Sequence, residues 1–179
     1  MESFMRFTPL DISGAVLIEP DLIVDDRGFF AMIWSSDELA RKGLNPRLEQ
    51  ANLSYNRQAG TVRGMHYQCA PDEETKLVRC QSGAVYDVVL DLRRDSPSFG
   101  RWQGVELSAT NRAMLYLPEG CAHGFQTLKD DTEVFYLLSK GYAAGSARGV
   151  RWDDPAFDIR WPIPVSCISD RDLIHPPFA

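Results

Sequence analysis

Apolar and polar residues follow one another along this chain in short runs that are typical of β-strands. Lys76–Arg93 is rich in β-branched residues and is interrupted at Ser82–Gly83, which predicts strands on either side of a tight turn. Similar segments recur at intervals of about ten residues, separated by Gly, Pro, Asn and Asp. They are RWQGVELSA, AMLYLPEG, HGFQTLKDD and EVFYLLSKGY. This rhythm predicts an all-β protein, either a sandwich or a barrel of the jelly-roll kind.

Helices contribute little to the predicted fold. Ser35–Lys42 has a serine cap, early acidic residues and late basic residues, which predicts one short helix. The proline-rich tail, Trp152–Ala179, is expected to wrap the barrel irregularly. The extended segment Leu10–Pro20 fits a strand of its own barrel or a strand added to a neighbour's sheet. No linker, repeat or charge block divides the chain, so we expect a single domain over residues 1–179.

Composition narrows the possible partners. The formal charge of −6 argues against a nucleic-acid partner, although clustered Arg and Lys can still bind a small anion. No apolar run is long enough for a membrane helix, and the start lacks the pattern of a signal peptide. The four cysteines, with wide spacings, predict buried, reduced thiols in a cytoplasmic protein. They are Cys69, Cys80, Cys121 and Cys167.

Titratable residues inside the predicted strands are the candidates for chemistry. Arg63 and His66 lie three residues apart in the strand-like stretch TVRGMHYQ, and Lys76, His123 and Tyr136 follow in later strands. Singly, each has a structural explanation, because a strand histidine or a core tyrosine with a satisfied hydroxyl is common. Inward-facing residues of a barrel converge, however. A base, a cation and a phenol in one cavity are the groups needed for proton transfer beside a carbonyl.

Other chemistries find less support in the sequence. His66 is followed by Tyr67 and Gln68, so the H-x-H pair of jelly-roll metal sites is missing. His123 stands alone and His175 lies in the tail, and we therefore expect no catalytic metal. There is no nucleophile elbow, phosphate-binding loop or dinucleotide-binding glycine motif.

Eight motifs, in order from about residue 12 onward, resemble the dTDP-4-dehydrorhamnose 3,5-epimerase family. The resemblance implies a cupin-type jelly roll, a homodimer, and no metal or organic cofactor. It also implies epimerisation at C3, C5 or both of a nucleotide-diphosphate 4-keto-6-deoxy sugar. The motifs are DDRGFF, QANLS, TVRGMHYQ, KLVRCQSGAVYDVVLDLRRDSPSFG, LYLPEGCAHGFQTL, EVFY, VRWDDPAFDIRWP and ISDRD.

The resemblance also implies roles for individual residues. His66 corresponds to the general base, and Asp172 to the carboxylate that orients it. Tyr136 corresponds to the general acid on the opposite face of the sugar, and Lys76 to the cation beside the C4 oxygen. The residues that correspond to substrate contacts are Arg63, His123, Arg27, Gln50, Asn52 and Phe29.

Two positions depart from the family pattern. Met32 stands where the family has a glutamate associated with the base, and Gly141 stands where it has a tyrosine that stacks on the base. One hypothesis is that this chain uses a CDP- or GDP-linked sugar and acts at one carbon only. The alternative is neutral change with compensation nearby.

A non-enzymatic function and a related reaction are the remaining alternatives. A jelly roll can bind a sugar nucleotide without converting it, or catalyse 3,4-ketoisomerisation with a different pattern around the histidine strand. A binding module would have no reason to keep His66, Tyr136, Asp172 and Lys76 together. The sequence therefore favours the epimerase.

Overall fold

Two antiparallel sheets face each other in the computed structural model, which describes residues 3–178. The six-stranded sheet has the order β1-β2-β10-β7-β12-β5, the five-stranded sheet has the order β13-β6-β11-β8-β9, and β3 and β4 form a separate hairpin. The elements are β1 (Met5–Pro9), β2 (Val16–Pro20), β3 (Ile23–Asp25), β4 (Gly28–Phe30), α1 (Ser36–Arg41), β5 (Gln50–Asn56), β6 (Val62–Gln68), β7 (Lys76–Ser82), β8 (Ala84–Asp91), β9 (Trp102–Ser108), β10 (Met114–Leu117), β11 (Cys121–Thr127), β12 (Thr132–Leu138), β13 (Ala147–Gly149) and α2 (Asp170–Leu173).

Strands β5 to β8 alternate between the two sheets, and β10 to β13 do the same, which is the path of a jelly roll. The predicted fold class is therefore confirmed, with two short helices beside the strands. The turn at Gly83 is also present, with a φ of +78° that favours glycine. It does not close a hairpin, because β7 and β8 pair in different sheets.

The core lies between the sheets and follows the alternation of strand side chains. On β7, Val78 and Cys80 are fully buried in this inner layer, whereas Leu77 packs in a second cluster on the outer face of the six-stranded sheet. A third cluster covers the outer face of the five-stranded sheet. The inner layer also holds Ile12, Ala15, Val85, Val89, Leu107, Ala113, Leu115, Leu117, Cys121, Phe125 and Val134.

The tail is more ordered than the sequence suggested. Phe157 and Ile159 pack in the outer cluster of the five-stranded sheet, against Trp161 and Phe178. The tail also contains α2, which is capped by Ser169. A helix of four residues is too short to show a helical hydrophobic period, so the sequence pattern did not predict it.

The N-terminal segment pairs within its own barrel. β2 lies between β1 and β10 in the six-stranded sheet, which decides between the two possibilities left open for Leu10–Pro20. The predicted helix is present as α1, and the side chain of Ser35 accepts a hydrogen bond from the Glu38 backbone N–H at 3.3 Å.

The sequence predicts that all four cysteines are buried, reduced thiols. All four cysteines are free, but the prediction that they are buried is wrong for Cys167, which is exposed, and for Cys69, which is half-buried. The reason is that both lie outside the strands that form the inner layer.

In residues 3–178, neither helix is long and apolar enough to cross a membrane.

A β-bulge explains how an arginine and a histidine three residues apart share one face. β6 and β11 pair His66 with His123 and Arg63 with Phe125, so two residues of β6 lie opposite one residue of β11. Side chains alternate along a regular strand, and a spacing of three would put these two on opposite faces. The extra residue restores a common face. Both side chains therefore line a cavity between the sheets.

Two glycines make this bulge possible. A Cβ atom added at Gly64 would lie 2.5 Å from the Cα of Gly124, and one added at Gly124 would lie 2.5 Å from Sδ of Met65. Gly64 also has a φ of +132°, where other residues are strained. A side chain at either position would force the strands apart.

We expect Gly124→Ala to lower the free energy of unfolding by about 1–3 kcal/mol, since the added methyl group overpacks the contact between β6 and β11. Urea unfolding would measure the change. Gly145→Ala is the matched control, because a Cβ there meets no atom within 4 Å, and its effect should stay within about 0.5 kcal/mol. Equal stability of the two variants would show that the glycine contact does not constrain the bulge.

Candidate active site

Two adjoining cavities open between the sheets. Their volumes are about 430 Å³ and about 220 Å³. His66 comes from the five-stranded sheet, and Lys76 and Tyr136 come from the six-stranded sheet, yet all three line both cavities. Arg171 of α2 is the fourth residue common to both. Side chains of opposite sheets and of the tail therefore meet around one connected space.

His66 is held by a carboxylate from the tail. Its Nε2 lies 2.7 Å from Oδ1 of Asp172, which is almost fully buried, while the His66 side chain is 39% exposed. The other carboxylate oxygen accepts the backbone N–H of Gly64 at 3.2 Å, and the Ser169 side chain caps the short helix. The Asp172 carboxylate is thus held in place by the Gly64 N–H and by the capped helix that carries it.

This environment determines which imidazole nitrogen carries the proton. Burial alone would raise the pKa of Asp172, but the hydrogen bonds from His66 and Gly64 outweigh it and lower the pKa below its usual value. The carboxylate is therefore ionised and accepts the Nε2–H of His66. The lone pair of a neutral His66 is then on Nδ1, which makes Nδ1 the nitrogen that can take up a proton.

Lys76 is a buried cation with a carboxylate partner. Its side chain is 12% exposed, and Nζ lies 3.2 Å from Oε1 of Glu74, which is buried more deeply. Nζ also donates to the backbone carbonyl of His66 at 3.1 Å. Burial lowers the pKa of Lys76, and the charge of Glu74 opposes that shift. An ammonium held in this way can stabilise a negative oxygen in the cavity.

Tyr136 supplies the phenol. It lies on β12 next to Asn52 of β5, and it packs against the inner core layer. Burial raises the pKa of Tyr136 above its usual value, and the charge of Arg63 opposes part of this shift. The hydroxyl therefore stays protonated at neutral pH and is available to donate a proton.

Arg63 and His123 line the larger cavity, as expected of substrate contacts. The Nε–H of Arg63 donates to the Asn56 side chain at 2.7 Å. Nε2 of His123 lies 3.0 Å from both carboxylate oxygens of Asp87, which is fully buried. Both side chains are thus oriented before any ligand arrives, which lowers the entropic cost of binding.

The remaining predicted contacts divide into two groups. Gln50 and Asn52 line the smaller cavity and hydrogen-bond to each other at 2.9 Å. Arg27 and Phe29 line neither cavity, because the β3–β4 hairpin carries them on an exposed surface. There Arg27 pairs with Asp25, and the Phe29 ring contacts the Arg112 guanidinium. Within this chain the site does not include the hairpin residues.

The two departures from the family pattern lie in different surroundings. Met32 does not stand beside His66 in this chain: it packs against the outer apolar cluster of the six-stranded sheet, so the expectation that it borders the base is wrong here. A Cβ added at Gly141 would meet only Oε1 of Gln50, at 3.8 Å. Packing therefore does not force the absence of a side chain at this position.

Several site residues were missed by the sequence reasoning. Arg171 lies inside the motif ISDRD, so its place beside Asp172 was a usable signal. Glu74 and Asp87 are buried carboxylates that pair with Lys76 and His123, and no spacing in the sequence links either to its partner's role. Tyr142 and Arg148, which also line the smaller cavity, come from the segment after β12 and from β13.

An imidazole and a phenol that come from facing sheets can work on opposite sides of a bound molecule. A jelly roll with such a proton-transfer site is typical of sugar-nucleotide epimerases, which are isomerases. The sequence model of the dTDP-4-dehydrorhamnose 3,5-epimerase family matches residues 9–179. The chain belongs to this family.

Individual relatives agree with this assignment. A dTDP-4-dehydrorhamnose 3,5-epimerase from Sinorhizobium fredii is 42% identical over 173 residues, which cover 96% of this chain and 89% of that protein. A dTDP-4-dehydrorhamnose 3-epimerase from Streptomyces niveus is 41% identical, covering 94% and 81%. The crystal structure of the Bacillus anthracis 3,5-epimerase with TDP and pyrophosphate bound has a TM-score of 0.94 and 42% identity, covering 97% and 99%.

We expect Glu74→Gln to lower the pKa of Lys76 further, because it removes the charge that opposes desolvation. The chain has four lysines, so selective ¹³C labelling gives few signals to assign in a pH titration. Glu73→Gln, one residue away on an exposed side chain, should leave the titration of Lys76 in place. An unchanged titration in Glu74→Gln would show that the carboxylate does not support the cation.

Proposed function

We propose that this protein epimerises a nucleotide-diphosphate 4-keto-6-deoxy-hexose at one or both of the carbons that flank the C4 ketone, as a step in deoxysugar biosynthesis. The observation that carries the proposal is the arrangement around the cavity. A carboxylate-bound imidazole lies on one sheet, and a protonated phenol and a buried ammonium lie on the other.

In the proposed reaction, His66 is the base. A proton on carbon is normally far too weakly acidic for an imidazole, but the neighbouring ketone lets the negative charge move onto oxygen as an enolate. Nδ1 of His66 takes the proton, and the resulting imidazolium is stabilised by Asp172, 2.7 Å from Nε2.

Lys76 stabilises the enolate oxygen. Its burial keeps water from screening the ammonium, so its interaction with a developing oxyanion is stronger than at the surface. The charge of Glu74 favours the ammonium form of Lys76 before substrate binds. Because the pair is already in place, little reorganisation is needed when the charge develops.

Tyr136 completes the inversion. The phenol donates a proton to the face of the enolate opposite the one from which His66 removed it. Each positioned acid or base typically contributes about 10²–10⁴ in rate. The step uses side chains alone, so the proposal requires no organic cofactor and no metal.

We further propose a dTDP-linked sugar as the substrate. The support is the Bacillus anthracis relative, whose structure holds TDP and pyrophosphate. The hypothesis of a CDP- or GDP-linked sugar rested on Met32 and Gly141, and Met32 packs in an outer cluster instead of near the base. Arg63 and His123 remain the candidates for the phosphates and the sugar, with Gln50 and Asn52 on the nucleotide side.

We expect His66→Ala to reduce deuterium incorporation at C3 and C5 by about 10²–10⁴, whereas Tyr136→Phe should keep exchanging deuterium and lose inversion. The reason is that protonated His66 can return deuterium to the face from which it removed the proton. NMR of the keto-sugar in D₂O would measure exchange and inversion separately. Full exchange in His66→Ala would refute the assignment of the base. Parallel reactions with dTDP-, CDP- and GDP-linked substrates would test the nucleotide.

We also propose that the protein is a homodimer. β5 places Leu53 on the outer face of the six-stranded sheet with 57% of its surface exposed, near exposed Tyr55. The β3–β4 hairpin exposes further large apolar residues, including Val24 and Phe30 at 72% and 68%. Apolar surface of this kind is typical of an interface.

We expect Leu53→Asp to shift the protein towards the monomer, because it would bury a carboxylate in an apolar interface. Sedimentation equilibrium would measure the mass. Ile174→Asp, which alters an even more exposed apolar residue after α2, is the control and should not change the mass. A Leu53→Asp variant with unchanged mass would exclude this face as the interface.

A further inference from the structure

The third histidine of the chain has no role in the proposed reaction. His175 follows α2, and its side chain is 14% exposed. Its Nε2 is buried and has no hydrogen-bond partner in residues 3–178. Oδ1 of Asp172 is 3.7 Å away, which is beyond hydrogen-bond distance. Buried polar atoms are nearly always paired. The unpaired ring nitrogen of His175, which faces a carboxylate, therefore indicates a position where a ligand could bind.

The position of His175 is set by a glycine of the neighbouring strand. A Cβ added at Gly149 would lie 2.1 Å from Nε2 of His175, so the ring occupies the space of a missing side chain. Gly149 itself pairs with His66 across β13 and β6. The two imidazoles consequently meet edge to face, with ring centroids 6.1 Å apart.

Three potential ligand atoms converge here. A ring nitrogen of His66, a carboxylate oxygen of Asp172 and a ring nitrogen of His175 all lie within 4.8 Å of one another. Nε2 is the His66 nitrogen that faces Asp172. Two imidazoles and one carboxylate form a donor set that suits Zn²⁺ and its neighbours among the transition metals. Zn²⁺ bonds of about 2.0–2.1 Å in a tetrahedron separate neighbouring ligand atoms by about 3.4 Å. The distances from Asp172 Oδ1 to the two rings, 2.7 and 3.7 Å, lie on either side of this value.

We infer that His66, Asp172 and His175 form a binding site for a divalent transition metal of the Zn²⁺ type, whose occupation inhibits the enzyme. The proposed metal binding is independent of the proposed function, whereas the proposed inhibition rests on it. The metal takes no part in the proton transfers. Hard cations such as Mg²⁺ prefer several oxygen ligands and do not fit this set.

Inhibition follows from the tautomer of His66. In the metal-free site, Nε2 carries the proton and Nδ1 the lone pair. When a metal binds the Nε2 lone pair, the ring proton relocates through solvent from Nε2 to Nδ1, and the ring stays neutral. Nδ1 then has no lone pair for the substrate proton. Removal of the metal reverses both changes, so a chelator restores the base.

Isothermal titration calorimetry with ZnCl₂, in the absence of substrate, tests the site directly. We expect stoichiometric binding to the wild-type protein, and an affinity at least about tenfold weaker in both His175→Ala and His175→Asn. His123→Ala is the matched control, since it removes the histidine of the other His–carboxylate pair and should keep the affinity. Cys167→Ser should also keep it, which separates the site from the exposed thiol.

The ratio of epimerase rates with and without ZnCl₂ tests the inhibition. This ratio should fall well below one for the wild-type protein, return to one with EDTA, and stay near one for His175→Ala. No binding to the wild type, or equal binding to His175→Ala, would overturn the metal site. Binding of Zn²⁺ without inhibition would overturn the proposed inhibition and leave the metal site in place. An inactive protein that still binds Zn²⁺ through His175 would contradict the proposed function and leave the metal site standing.

Discussion

The close approach of Gly64 and Gly124 is the constraint on which the site depends. It permits the bulge between β6 and β11, and the bulge turns both Arg63 and His66 towards the cavity. In a regular strand pair one of these side chains would lie on the outer face, which is covered by the tail cluster. The positions of the side chains that line the cavity thus depend on a contact between backbone atoms that take no part in the reaction.

Three ionisable side chains around the cavity have carboxylate partners. Asp172 orients His66, Glu74 faces Lys76, and Asp87 holds His123 by both oxygens. Buried charges without partners would be costly. His66, Lys76 and His123 lie on strands of the two sheets, so the sheets supply a rigid frame in which these groups are oriented before substrate binds.

The sequence predicted the parts of this structure that repeat or that follow familiar spacing. Alternation and turn residues predicted the strands and the jelly roll, and the cap of Ser35 predicted α1. The motifs predicted that His66, Lys76, Tyr136 and Asp172 act together, and the structure places them around one cavity. Local patterns do not encode contacts between distant segments. The crossing of the chain between the sheets at Gly83, the pairing of Asp87 with His123 and the outer packing of Met32 therefore emerged only from the fold. Glu74 lies only two residues before Lys76, but that spacing alone does not predict that its carboxylate faces the ammonium.

The hydrogen bond between His66 and Asp172 joins residues 106 positions apart, from a barrel strand to the tail. The tail is tied to the barrel near α2 by the Cys167 carbonyl, which accepts the Val62 N–H, and by the Ser166 N–H, which donates to the Gly60 carbonyl. A segment at the periphery of a fold can open locally at a lower free energy than the core does. Loss of the orienting carboxylate by sub-global opening would thus leave an intact barrel with a disoriented base. The orientation of His66 therefore depends on the docking of one peripheral segment as well as on the stability of the barrel.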